Sequence, residues 1–176
     1  MSEERRWEFT GETKVDGGVT LRRIRARVGF TLKCGLRVET GEEGGWIEKE
    51  ENLSGNAWVY GNAWVYGDAR VYGNAWVYGN AQVSGDAWVS GDARVYGNAH
   101  ILQIGKIGSR SDTTTFFMCN DGLIRVACGC FYGTLAEFRA KVKDTHGKSK
   151  HANVYLKAAE LAELQIETND GGGARQ

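Results

Sequence analysis

The sequence predicts a mainly β chain whose centre is a parallel β coil, with a β segment before it and a small α+β domain after it. Three observations predict this. Branched or aliphatic residues recur every six positions, from Ile47 and Leu53 through Val59, Val65, Val71, Val77, Val83, Val89 and Val95 to Ile101 and Ile107. Alanine stands two residues before most of them, from Ala57 to Ala99. The chain also holds 25 glycines and no proline, which suits a chain that turns often and stays in register rather than a linker, where both residues are usual.

The coil comes first because an internal repeat decides everything around it. In an extended strand, residues two apart point to the same side. Ala and Val therefore face inward together, and the residues flanking Val, such as Trp58 and Tyr60, face outward. Gly-Asn and Gly-Asp pairs separate the strands and tolerate the positive φ of a tight corner. A corner every six residues leaves no room for hairpins. Three hexapeptides per turn give a triangular coil with small alanine and medium valine inside. Outward residues eighteen apart then stack: Trp58, Tyr60, Trp76, Tyr78, Arg94 and Tyr96 on the first face; Trp46, Trp64, Tyr66, Gln82, Ser84, His100 and Leu102 on the second; Asn52, Ser54, Arg70, Tyr72, Trp88 and Ser90 on the third. The first face is the most aromatic, and a contiguous ladder of large side chains marks an oligomer interface.

An aliphatic residue followed four positions later by a small one, as in Val59 then Ala63 and Val65 then Ala69, resembles the motif of the hexapeptide-repeat, left-handed parallel β-helix family. The resemblance implies a left-handed coil over residues 46–108 and a homotrimer packed side by side through the first face.

Residues 1–45 lack the period. "WEFTGETKVDGGVTLRRIRARV" reads as two strands about a turn at Asp16-Gly17-Gly18, an N-terminal β cap for the exposed end of the coil. Residues 109–167 read as a hairpin plus two helices. "TTTFFMCNDGLIRVACGCF" turns at Asp121-Gly122, which as a two-residue loop pairs Cys119 with Ile124 and Thr115 with Cys128. Thr134 and Glu137 form a capping box ahead of the apolar stripe Leu135, Phe138 and Val142, Gly147 stops that helix, and a second helix spans 152–166. Residues 168–176, "NDGGGARQ" with its flank, read as a disordered tail.

Function is less legible. With 22 basic and 22 acidic residues, no nucleic-acid surface extends over the molecule. No apolar run approaches the roughly 20 residues of a membrane span, and MSEERRWEFT lacks the apolar core of a signal peptide. The expectation is a cytoplasmic protein with cysteines as thiols. Arg22, Arg23, Arg25 and Arg27 form a basic cluster, and the expectation is that they pair with Glu42, Glu43, Glu48, Glu50 and Glu51 rather than with nucleic acid.

Three constellations carry candidate chemistry. His100 is the one candidate base for acyl transfer, as in enzymes of the resembled family, yet the repeat runs from Gly55 to Ala99 without the inserted loop such enzymes use. Cys128 and Cys130, with Cys119, His146 and His151, are candidate zinc ligands. On the hairpin register Cys119 falls on the order of 13 Å from Cys128, so the thiols read as small buried hydrophobes and no metal or other cofactor is expected. Lys106, Ser109, Arg110 and Thr113 lie in a glycine-containing stretch suited to phosphate, although no nucleotide fingerprint is present.

"WEFTGET", "GGWIEKEENLSGNAWV" and "GCFYGTLAEFRAKVKDTHG" together resemble a group of phage and prophage proteins that carry a hexapeptide β-helix between similar ends. That resemblance implies an accessory protein acting in the cytoplasm of the bacterial host cell. The expected function is non-enzymatic binding of a host target, as an inhibitor of host antiviral defence. The alternatives are a sponge for a small nucleotide signal bound at subunit clefts, and a hexapeptide-repeat acyltransferase.

Overall fold

The computed structural model describes residues 5–32, 35–97, 100–119 and 121–166. The chain divides into two compact units, Met1–Asn98 and Ala99–Gln176.

In the first unit, strands β1 (Trp7–Asp16) and β2 (Val19–Ala26) form an antiparallel hairpin with Asp16 opposite Val19. A short pair, β3 (Phe30–Thr31) and β4 (Arg37–Val38), follows. Next comes β5 (Glu43–Ile47), antiparallel to β2 and parallel to the coil. A single 3-10 turn, Glu50–Asn52, precedes the coil strands β6 (Trp58–Val59), β7 (Trp64–Val65), β8 (Arg70–Val71), β9 (Trp76–Val77), β10 (Gln82–Val83), β11 (Trp88–Val89) and β12 (Arg94–Val95).

These strands are the two residues left between glycine corners, and each pairs in parallel with the strand eighteen positions away. Trp58 stands beside Trp76 and Trp76 beside Arg94, Trp46 beside Trp64 and Trp64 beside Gln82, and Arg70 beside Trp88. The rungs are regular backbone bonds: Trp58 N–H to Ala75 O at 2.9 Å, Trp76 N–H to Ala93 O at 2.8 Å and Trp64 N–H to Ala81 O at 2.9 Å. The sheets are open and ordered β1-β2-β5-β7-β10, β12-β9-β6 and β11-β8. Inside, every alanine and valine of the repeat from Ala57 to Val95 is buried, so the interior is a continuous aliphatic column. Asn52, expected to face outward, is fully buried. Its amide donates to Gly67 O at 3.1 Å and Ala69 O at 2.8 Å and accepts from Lys49 N–H at 2.8 Å, so an inward polar group is fully bonded, as burial demands.

The six-residue column overruns the coil at its C-terminal end. Ile101 and Ile107, expected as its last rungs, lie in β13 (Ile101–Ile107), the first strand of the second unit. No glycine corner follows Ile101, so the strand continues and returns as a hairpin to β14 (Asp112–Met118). Strands β15 (Ile124–Cys128) and β16 (Phe131–Thr134) complete a four-stranded antiparallel sheet. Here the predicted register is corrected by one residue: Met118 faces Ile124 and Thr114 faces Cys128. The loop is three residues long, closed by Cys119 N–H to Leu123 O at 3.0 Å, with Gly122 at φ 76° in the left-handed position such loops require.

Helix α1 (Leu135–His146) starts at the Thr134/Glu137 capping box, and α2 (Lys150–Gln165) starts at Ser149, whose hydroxyl accepts from Ala152 N–H. The helices pack Leu135, Phe138, Val142, Tyr155, Ala159 and Ala162 against Phe116, Ile124 and Val126 of the sheet. Arg139 and Glu163 join them by a two-pronged ion pair at 2.6 and 2.7 Å. Among the described residues no helix is long and apolar enough to cross a membrane. The predicted tail, residues 168–176, lies outside the described residues.

Candidate functional site

The aromatic ladder is real but unevenly exposed. Trp58 is 0% exposed because Phe30 packs edge-on against it at 5.7 Å, so it belongs to the core and not to an interface. The accessible part of that face starts at Tyr60, 42% exposed, and continues through half-buried Trp76, Tyr78 and Arg94 to Tyr96, 40% exposed. Trp76 and Tyr78, two apart along the chain, stack at 3.9 Å with 15° between planes. Arg94, one coil on, lies 5.3 Å over the Trp76 ring and 5.9 Å over Tyr78, and its Nε donates to the Tyr78 hydroxyl at 3.2 Å. Tyr96 adjoins Tyr78 at 5.4 Å. Cation–π contact and ring stacking together hold these long side chains in one arrangement.

The second face is covered differently. Lys14 of β1 reaches across it and places Nζ 4.1 Å from the Trp46 ring and 4.2 Å from the Trp64 ring. Burial there holds the Lys14 ammonium pKa below its usual value. On the third face Trp88 is 42% exposed and meets Tyr72 edge-on at 6.4 Å. Of the expected arginine–glutamate pairs, Arg23–Glu43 forms at 3.2 Å; Arg23 also meets Glu12 at 3.2 Å, Arg25 pairs instead with Glu8 at 2.6 Å, and Arg22 lies 5.3 Å over the Phe9 ring. Glu50 pairs with Arg5 at 2.6 Å, while Glu48 accepts the Gly67 N–H at 2.6 Å.

Sequence reasoning also missed a cleft of ≈ 690 Å³ lined by Arg5, Arg6, Trp7, Glu50, Ser54 and Asn56 among others. No motif announces it, because its walls come from separate segments around Trp7, Val28 and Leu53.

In the second unit, Lys106, Ser109 and Arg110 are exposed at the tip of the β13–β14 hairpin, and Thr113 is half-buried with its N–H on Asp112 Oδ1 at 2.9 Å. Ser109 hydrogen-bonds the Tyr155 hydroxyl, which also bonds the Cys128 thiol; burial first, then the neighbouring Cys128, raises the Tyr155 pKa. Thr114 Oγ1 donates to Cys128 Sγ at 3.2 Å. Cys128 and Cys130, both expected as buried hydrophobes, depart from that: Cys128 is half-buried and polar-bonded, and Cys130 is exposed because it sits in the β15–β16 turn, while Cys119 is buried. His146 stacks on Tyr155 at 5.6 Å and stands 6.2 Å from His151. Among the described residues no group of three or more His, Cys, Asp or Glu is placed to hold a metal ion. His100, expected on the outside of the coil, is 1% exposed.

A comparison with curated proteins finds no match. A family model described as the YdcK β-solenoid repeat matches residues 65–79, 69–85, 81–97 and 87–103. Over that stretch the chain is similar to a β-solenoid repeat, in agreement with the eighteen-residue rungs and the aliphatic column.

Proposed function

We propose that this chain is a non-enzymatic binding protein: a left-handed hexapeptide β-helix that assembles as a homotrimer, is of phage or prophage origin, and engages a host protein in the bacterial cytoplasm to inhibit antiviral defence. The observation that carries the binding role is the braced surface of Trp76, Tyr78, Arg94 and Tyr96, with exposed Tyr60 on the same face. Tyr, Trp and Arg supply most of the energy at protein interfaces, and side chains already fixed before contact lose little entropy on docking. The repeat supports a scaffold role, because stacked coils extend a stiff surface by simple repetition. Burial of His100 weighs against the acyltransferase reading, since a general base must reach its substrate.

A second reading keeps one observation in its favour. Lys106 and Arg110 are exposed and form no ion pair with a carboxylate among the described residues, which suits the phosphate of a small nucleotide. Native mass spectrometry of the full chain purified from bacterial cells separates the readings. A bare trimer, dissociated by Tyr60→Glu with Tyr96→Glu, supports the proposed interface and directs the search to a host protein. A reproducible small adduct lost with Arg110→Ala supports the sponge. A stable monomer overturns the trimer.

A further inference from the structure

We propose that Cys128 and Cys130 form a reversible disulfide, making the β15–β16 turn a peroxide-sensitive modification site. Cys128 faces Phe131 across the hairpin, so Gly129 and Cys130 are the two central residues of the turn. Gly129 has φ 57°, as the first central position of a type II′ turn requires. Two successive Cα steps of about 3.8 Å, bent near a right angle at the turn, place the two cysteine Cα atoms about 5.4 Å apart. Disulfides span roughly 4.4–6.8 Å between Cα atoms, and the spacing across this turn falls within that range.

The surroundings divide the two sulfurs into different roles. Cys130 is exposed and meets an oxidant first. Cys128 is half-buried, and hydroxyls of Thr114 and Tyr155 bond its thiol, which holds the second sulfur beside the turn. Arg110 lies over the same turn: its Nε, Cδ and Cζ stand 3.7, 3.8 and 3.8 Å from where a Cβ on Gly129 would be. Thiolate is the reacting species in such chemistry, and this guanidinium brings positive charge to it. Cys128 also packs against the core shared by α1 and α2, so its oxidation state is felt by the helices through Tyr155.

The steps balance with hydrogen peroxide as oxidant. The Cys130 thiolate attacks one peroxide oxygen; the O–O bond breaks, Cys130 becomes a sulfenic acid, and the departing hydroxide takes the thiol proton to become water. The Cys128 thiolate then attacks the sulfenic sulfur. The S–S bond forms, the S–O bond breaks, and hydroxide leaves with the Cys128 proton as a second water. Two thiols and one peroxide give one disulfide and two waters.

The test treats the folded full chain with hydrogen peroxide, removes the excess, unfolds the chain in guanidinium chloride, blocks free thiols with N-ethylmaleimide and reads intact and peptide masses. Alkylated thiols should fall from the four in the sequence to two, with the peptide holding Cys128 and Cys130 lighter by two hydrogens, and dithiothreitol should restore all four. Cys130→Ser, a change at an exposed position, should abolish the internal disulfide while the protein stays folded, and Arg110→Ala should slow its formation. Both thiols of that peptide still alkylating after peroxide, or Cys128 pairing with Cys119 instead, overturns the proposal.

Discussion

Alanine in place of Gly79 should cost the first unit more than alanine in place of Gly85, although both occupy the equivalent position of successive hexapeptides. Their backbones match, with φ 67° and 62°. Each substitution therefore incurs the left-handed penalty of an L side chain, roughly 1–2 kcal/mol. Their surroundings differ. A Cβ at Gly79 would stand 2.3 Å from the carbonyl oxygen of Tyr96, whereas at Gly85 nothing lies within 4 Å. The Tyr96 oxygen is backbone and is tied to the last coil, so it yields only by displacing that coil, an overpacking cost of roughly 1–3 kcal/mol. Gly85→Ala should lose about 1–2 kcal/mol, and Gly79→Ala roughly 2–5 kcal/mol. The assay is urea unfolding followed by tryptophan fluorescence. All six tryptophans lie between Trp7 and Trp88, within the first unit, so the signal reports that unit alone. Equal losses for the two variants, or a larger loss at Gly85, would refute the close approach of successive corners. Gly85→Asn should be milder than Gly85→Ala, because asparagine tolerates this conformation better.

Two further outcomes concern the interior and the helices. Val77 is fully buried between the Val59 and Val95 rungs, so Val77→Ala should lower the urea-derived stability of the first unit by roughly 2–3 kcal/mol through lost burial and the cavity left behind; a loss under half of that would mean the coil collapses to fill the space. The Glu137 carboxyl is held below its ordinary 4.5 by the Thr134 backbone N–H and then by its hydroxyl. Its contribution is therefore complete above about pH 4.5 and disappears as pH falls through the lowered folded value. A carboxyl-carbon NMR titration should show Glu137 titrating below the usual range and moving back up in Thr134→Ala; an unchanged midpoint in that variant would show that the hydroxyl plays no part in holding it down.

Features that arise within a few residues or by strict repetition were legible in the order of the amino acids. Period six, glycine corners and the Ala/Val column dictated the rungs, since each coil meets only its neighbours eighteen residues away. Thr134 and Glu137 announced the start of α1 because capping is a contact between residues three apart. The hairpin register slipped by one because Asp121-Gly122 suits both a two- and a three-residue loop, and only the packing of β15 against its neighbours chooses. Ile101 and Ile107 continued the column in spacing but not in structure, because a six-residue period also satisfies the two-residue alternation of an ordinary strand. Tertiary structure alone decided which aromatics are available. Trp58 and Trp76 are identical in the repeat, yet Phe30 closes over the first and leaves the second half-open. Lys14 likewise claims Trp46 and Trp64 from more than thirty positions away. Periodicity specifies the direction in which a side chain points; what arrives to cover it depends on distant segments that carry no period at all.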